Sequence, residues 1–235
     1  MKVRFLALIP ARHGSKGIIK KNIIDLCGKP LIYYTIVHAL RLEKEKVVVN
    51  SIVSTDSDEI AKISLSLGVQ VPFIRPKTLA EDTSKSVDVI LHALDYYENL
   101  NIFFDAVILL QPTVPLRSYE DIINSINLFN KESGDSLITA YQESQLNDLI
   151  MYKKDGSFAV PLKKDHNKGV RRQNFEKIYI RNGAIYITRV DYLRKNKNVI
   201  SDRPLLYEMP RDRSINIDSY KDLEAAECLI KKLGY

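Results

Sequence analysis

Val3-Arg4-Phe5-Leu6-Ala7-Leu8-Ile9-Pro10-Ala11-Arg12-His13-Gly14-Ser15-Lys16-Gly17-Ile18-Ile19-Lys20-Lys21-Asn22 decides how the chain is read. An apolar, β-rich run stops at a proline. A glycine-and-serine turn follows, carrying Arg12, Lys16, Lys20 and Lys21. A strand that ends in such a turn offers free backbone N–H groups and positive charge to an anion. The stretch predicts an α/β fold whose first strand delivers the chain to a phosphate grip.

Outward from it, strand-like and helix-like segments alternate. Apolar β-rich runs cover Val3–Ile9, Val47–Ser54, Val69–Ile74, Ala106–Leu110 and Leu137–Ala140. Helical periodicity covers Leu31–Leu42, Asp58–Leu67, Ser86–Glu98 and Tyr119–Phe129. Ser57-Asp58-Glu59 and Ser118-Tyr119-Glu120-Asp121 are helix starts, and Gly68 is a helix stop. This alternation predicts a Rossmann-like, mostly parallel sheet with helices on both faces. Ligands of such sheets lie beyond the carboxyl ends of the strands. Residues 10–22, Ser54-Thr55-Asp56 and Gln111-Pro112-Thr113 all fall there.

The rhythm breaks after about residue 141. Residues 142–178 are polar, with a turn signal at Lys153-Lys154-Asp155-Gly156. A structureless loop of that length does not suit a compact domain. A protruding β excursion, residues 142–180, is expected to pack on a second copy of the chain. The α/β pattern then resumes with a strand at Ala184–Ile187, a helix at Val190–Asn196, a strand at Ser214–Ile217 and a final helix, Tyr220–Leu233, capped by Ser219. One domain, residues 1–235, is expected, with the excursion inside it.

Composition narrows the classes. The 235 residues are 45% apolar, enough for a full core. No run reaches the roughly 18–20 apolar residues of a membrane span. Met1-Lys2-Val3-Arg4 leads straight into a strand with no cleavage site after it, so no secretory leader is expected. Cys27 and Cys228 have no metal-ligand spacing and are expected as free thiols in the cytoplasm. The net charge of +6 suits an anionic partner. Its densest clusters, Lys16/Lys20/Lys21, Lys163/Lys164 and Arg171/Arg172, lack the interleaved aromatics of a nucleic-acid platform, so no nucleic acid is expected.

The first turn is neither Gly-x-x-x-x-Gly-Lys-Ser/Thr nor Gly-x-Gly-x-x-Gly. What it shows is Arg-x-Gly-Ser-Lys-Gly-x-x-x-Lys-Asn. Further along stand Cys27-Gly28-Lys29-Pro30-Leu31-Ile32, Val53-Ser54-Thr55-Asp56-Ser57, Leu110-Gln111-Pro112-Thr113-x-Pro115-Leu116-Arg117, Arg181-Asn182-Gly183-Ala184-Ile185-Tyr186-Ile187 and Ile215-x-Ile217-Asp218. This ordered set resembles the cytidylyltransferases that activate nine-carbon acidic sugars, the CMP-sialic acid synthetases. Lys21-Asn22 favours them over the related synthetases for the eight-carbon sugar Kdo.

The resemblance implies a nucleotidyltransferase fold of glycosyltransferase-A-like type, working as a homodimer. It implies CTP plus a nonulosonic acid giving CMP-sugar plus pyrophosphate. The anomeric hydroxyl attacks the α-phosphorus, and the protein must hold two anions and stabilise charge on the phosphates. Lys21, Arg12 and Asp218 are implied as catalytic. Ala11, Arg12, Gly14, Ser15, Lys16, Lys21 and Asn22 are implied as nucleotide contacts, with Arg75 and Ser86 at the cytosine. Gln111, Arg172 of the neighbouring subunit and Tyr179 are implied around the sugar, arginine being the residue that grips a carboxylate bidentately.

Mg²⁺, or Mn²⁺, is the implied cofactor. The family's Asp-x-Asp reads Asn216-Ile217-Asp218 here, so Asp218 and Asn216 are the candidate ligands, with weaker metal binding expected from the missing charge. Asp218 as a helix N-cap is the competing reading. Asp56 and Asp58 read as helix-start residues rather than ligands. The family's early-excursion lysine is absent from Gln145-Leu146-Asn147-Asp148-Leu149-Ile150, and Val114 replaces a usual serine. Legionaminic, pseudaminic and N-acetylneuraminic acids all remain open. His13 reads as a turn filler, and His38, His92 and His166 share no metal-like spacing. A non-catalytic sensor of nucleotide sugars on the same fold is the alternative.

Overall fold

The computed structural model describes residues 3–15, 17–143, 148–168 and 177–233. Strand β1 (Phe5–Pro10) lies between β4 (Asn50–Ser54) and β5 (Ala106–Leu110) and is parallel to both. β9 (Ile178–Arg189) runs antiparallel between β5 and β6 (Ser136–Glu143), and β10 (Leu205–Glu208) adds a parallel edge beyond β6. The six-stranded sheet is therefore ordered β10-β6-β9-β5-β1-β4. A tight hairpin, β2 (Asp25–Leu26) with β3 (Lys29–Pro30), lies after the first turn.

The period-2 rule explains why both faces are covered. Phe5, Ala7 and Ile9 enter one apolar cluster, together with Ile36 and Leu42 of α1 (Tyr33–Lys44) and Ile122 and Phe129 of α4 (Tyr119–Lys131). Leu6 and Leu8 enter another, with Ile90 and Leu94 of α3 (Ser86–Glu98) and Leu193 of α5 (Val190–Asn196). α2 (Asp58–Ser66) contributes Ile60 to the first cluster. A third cluster packs α6 (Tyr220–Leu233), through Leu223, Ala226 and Ile230, onto Ile18, Leu26 and Leu31. It ties the chain's last helix to its first turn.

The helix starts are as expected. Ser57 accepts from the Ile60 N–H, and Ser118 with Asp121 forms a reciprocal capping box. Two predicted strands differ. Val69–Ile74 makes only isolated bridges, Gln70 to Ile52 and Ile74 to Thr55, because Pro72 has no N–H for a ladder. Ser214–Ile217 is not in the sheet; β10 holds the edge instead. The strand expected at Ala184–Ile187 is the body of the longer, antiparallel β9.

In the excursion, β6 and β9 extend their pairing as far as Glu143 with Ile178. Beyond them, among the described residues, β7 (Tyr152–Asp155) and β8 (Phe158–Pro161) pair only with each other, turning at Gly156 with φ +56. Phe158 is 79% exposed, and Tyr152, Val160 and Leu162 are exposed beside it. Gln145–Asn147, Arg171 and Arg172 lie outside the described residues.

Candidate active site

A cavity of about 520 Å³ opens at the carboxyl ends of β1 and β5. Arg12, Ser15, Lys21 and Asn22 of the first turn line one side. Arg75 and Ser86 line a second, Gln111 a third, and Asn216 and Asp218 a fourth. Four stretches of sequence thus meet around one space.

The first turn is stitched down along its length. The Ala11 N–H donates to Ser54 O at 2.9 Å, extending the β1–β4 ladder. Ala11 is fully buried and stands outside the cavity lining, since its N–H is already used. Gly14 also lies off the lining, in open space, and Lys16 is outside the described residues. The His13 N–H donates to Asp56 Oδ1 at 2.8 Å, so the turn is pinned to the end of β4. Asn22 Nδ2 donates to Arg12 O at 2.9 Å. At Gly17 a Cβ would stand 2.2 Å from the Asp218 carbonyl oxygen, so only glycine permits this approach.

Each cation of the cavity has a distinct setting. Lys21 Nζ lies 2.8 Å from Asp218 Oδ1 and donates to Ile217 O at 2.9 Å. Lys20 points away and pairs with Glu59 on α2. Arg12 Nη2 lies 2.9 Å from Asp82 Oδ1, and its Nη1 donates to Ala80 O at 3.3 Å. Arg75 is buried, with Asp56 Oδ1 at 3.9 Å. Its Nε has no partner among the described residues, and burial lowers its pKa. A buried donor left unmatched is costly unless a ligand fills the gap.

Asn216 and Asp218 share one segment. Asn216 Nδ2 donates to Asp218 Oδ2 at 2.8 Å. The α6 cap is Ser219: its N–H donates to Asp222 Oδ2 at 2.7 Å, and its Oγ accepts from the Asp222 N–H at 3.4 Å. Ser219 thereby holds the Asp222 carboxyl below its usual range. The Asp218 carboxylate has no capping duty and is 67% exposed. Among the described residues no group of three His, Cys, Asp or Glu side chains could hold a metal. One carboxylate and one amide oxygen at the rim of an anion-sized cavity nevertheless fit a hard cation, which keeps waters and takes most of its remaining ligands from phosphates.

A second cavity, about 650 Å³, shares Ser86 and Gln111 with the first. Arg181, Tyr186, Lys197 and Ile200 are on its wall. Tyr179 is not: it pairs opposite Gln142 in the excursion's root, and its hydroxyl donates to Glu208. Tyr186, opposite Leu109 in the body of the sheet, supplies the aromatic wall, with the Arg181 guanidinium 5.9 Å from its ring centroid.

Sequence reasoning gave no site role to three residues that support the lining: Asp56, read as a helix start, Asp82, itself on the lining, and Arg117 behind it. Asp56 anchors the first turn, and Asp82 engages Arg12. Arg117 is wholly buried under the Gln111 loop. Its signal was present in the motif that ends with it, but a charged residue in a loop gives no hint of burial.

The cytidylyltransferase family model matches residues 6–231. The chain is 35% identical to CMP-N,N'-diacetyllegionaminic acid synthase of Legionella pneumophila, covering 97% of each chain. It is 34% identical to N-acylneuraminate cytidylyltransferase of Escherichia coli over 99% of its own length, spanning 53% of that protein. The backbone superposes on a CMP-2-keto-3-deoxy-manno-octonic acid synthetase complexed with CTP at a TM-score of 0.70, covering 98% and 99% of the two chains at 16% identity. That last likeness concerns the fold.

Proposed function

Because the chain belongs to the cytidylyltransferase family, we propose that it activates a nonulosonic acid: CTP plus the acid gives CMP-sugar plus pyrophosphate. The product would serve cell-surface glycan or flagellin modification. The observation that carries this reading is the convergence of Arg12 and Lys21, from the first turn, and Arg75, from a distant stretch, on one cavity beyond the parallel strands. Three cations so placed answer the charge of a triphosphate.

In this reading Arg12, Ser15 and Lys16 hold the triphosphate. Lys21, fixed by Ile217 O and Asp218, stands at the reacting phosphorus and stabilises charge as pyrophosphate leaves. Arg75, with its unmatched Nε, and Ser86 read the pyrimidine edge. Gln111, on the wall between the cavities, faces the acid, and the second cavity receives the rest of the sugar. Arg172 of the partner completes that pocket. Asp218 and Asn216 would hold Mg²⁺, which supplies Lewis-acid stabilisation of the phosphate oxygens. The hairpin β7–β8, with Phe158, Tyr152 and Val160 exposed, forms a homodimer. No helix among the described residues is long and apolar enough to cross a membrane, and a CTP-using enzyme belongs in the cytoplasm.

Pyrophosphate release tests this directly. The protein is supplied with CTP, ATP, GTP or UTP and with N-acetylneuraminic, legionaminic or pseudaminic acid. Release with CTP and one of these acids is expected, and the fastest acid names the substrate. Asn216, where the family carries a carboxylate, favours a second reading, a nucleotide-sugar sensor. Tight CTP binding without release from any acid supports that reading instead.

A further inference from the structure

Arg117 leaves the Gln111 loop and precedes α4. Its Nη1 donates to the carbonyls of Gln111 at 2.8 Å, Val114 at 2.9 Å and Ala184 at 3.2 Å. Its Nη2 donates to the Thr35 hydroxyl on α1. No carboxylate forms an ion pair with it among the described residues, and its Nε has no partner there. Burial lowers its pKa to about 9, against the opposing pull of the Asp121 carboxylate, which is not close enough to pair with it. A buried, unpaired guanidinium is a poor way to gain stability, because apolar side chains of similar volume fill such space better. Its worth must lie in what it holds.

What it holds is the shape of the loop. The Gln111 side chain passes between the two cavities and lies against the backbone of Gly183, where a Cβ would meet Oε1 at 3.0 Å. Gly183 has φ +78, a conformation suited to glycine. Arg117 binds both the carbonyl of Gln111 and that of Ala184, the residue after Gly183. From the same loop, Thr113 O accepts from the Ile217 N–H at 2.8 Å, and Ile217 O accepts from Lys21 Nζ at 2.9 Å. The loop that the guanidinium grips is therefore joined, through backbone and two hydrogen bonds, to the segment that holds the cavity's lysine.

We infer that Arg117 is a positioning residue: by gripping the Gln111, Val114 and Ala184 carbonyls at once, it fixes where Gln111 stands in the wall that the acidic sugar meets. The inference rests on the proposed reaction. It goes beyond it in assigning selectivity for the second substrate to a side chain that touches neither substrate.

The test compares wild type, Arg117→Lys, Thr35→Val and Gln111→Ala in steady-state kinetics with both substrates varied, alongside CTP binding by calorimetry. Lysine keeps the charge but loses the planar fork that reaches several carbonyls. Arg117→Lys is expected to raise KM for the acid about tenfold, the size of one lost buried hydrogen bond. CTP affinity should stay within about twofold, because Arg12 and Arg75 are anchored on Asp82 and Asp56 instead. Thr35→Val, which removes only the Nη2 acceptor, should shift the acid KM in the same direction by less. If Arg117→Lys does not fold, Thr35→Val and Gln111→Ala carry the comparison. A purely structural role would lower the soluble yield and melting temperature while leaving the acid KM of the folded enzyme unchanged. That result, or equal losses for CTP and acid, overturns the assignment. Wild-type turnover judges the reaction itself, and the variant-to-wild-type ratio judges Arg117, so the two can fail separately.

Discussion

The first turn, residues 11–22, and the hairpin, residues 152–161, are both basic loops leaving the ends of strands. They are built in opposite ways. The turn is fastened to its own chain by the His13–Asp56, Asn22–Arg12 and Lys21–Asp218 contacts, and its apolar residue Ile18 is fully buried. Among the described residues the hairpin pairs only with itself and leaves Phe158, Tyr152 and Val160 exposed. An isolated two-stranded hairpin is marginal in water. A loop that must meet a small anion is preorganised by its own fold. In the proposed dimer, a loop that meets a second copy can leave its apolar side uncovered until that copy arrives.

The contrast breaks first, and hardest, at Lys21. Lys21→Ala should lower kcat by about 10²–10³, the cost of losing a preorganised charge contact in the transition state. Turnover measured at saturating CTP and acid decides it, and an unchanged kcat would remove Lys21 from the chemistry. Acid comes next. Burial, helped by Arg117, pushes His38 down to about 4 from 6.5, so it is neutral in the folded body and protonates in the unfolded chain. The folded pKa is depressed, so its contribution is present above pH 6.5 and is lost as pH falls toward 4, to at most ~3 kcal/mol. Denaturant melts across that range should show the body weakening, and His38→Phe should flatten the slope.

On the hairpin side, Phe158→Asp should leave the melting of the body unchanged and weaken self-association at least about tenfold, since burying one aromatic is worth about 2 kcal/mol. Sedimentation measures it, and an unaltered oligomer would place the interface elsewhere. The smallest effect is expected at Asn216. Asn216→Asp adds a charge beside Asp218 and should tighten Mn²⁺ binding severalfold, read by paramagnetic resonance without turnover. A null result leaves Asp218 as the protein's sole ligand.

Much of the body was legible because it obeys simple periods. β5, α3 and α5 fall within their expected limits, and the alternation in β1 foretells its two apolar faces. β9 was not legible in length or direction, because Arg181, Asn182 and Gly183 interrupt its apolar run. Those residues serve internal bonds: Asn182 Nδ2 donates to Ser214 Oγ at 2.9 Å, and its Oδ1 accepts from Thr139 Oγ1 at 2.7 Å. In the site, the identities of Arg12, Lys21, Arg75 and Gln111 could be read from the ordered motifs, but their partners could not. Asp56, Asp82 and Arg117 matter only through contacts made in three dimensions. Tyr179 and Tyr186 are both tyrosines on one strand, and only the pairing register tells which one meets the second cavity.

Gly17 presses against the carbonyl of Asp218, and Lys21 reaches the same residue across 197 positions. The candidate pocket is thus closed by two segments that lie 197 positions apart. On the ribosome the basic turn emerges long before its counterpart arrives. Copies cut short before Asp218 would carry a half-made pocket, so a nucleotide that binds there should stabilise only molecules that include that late segment.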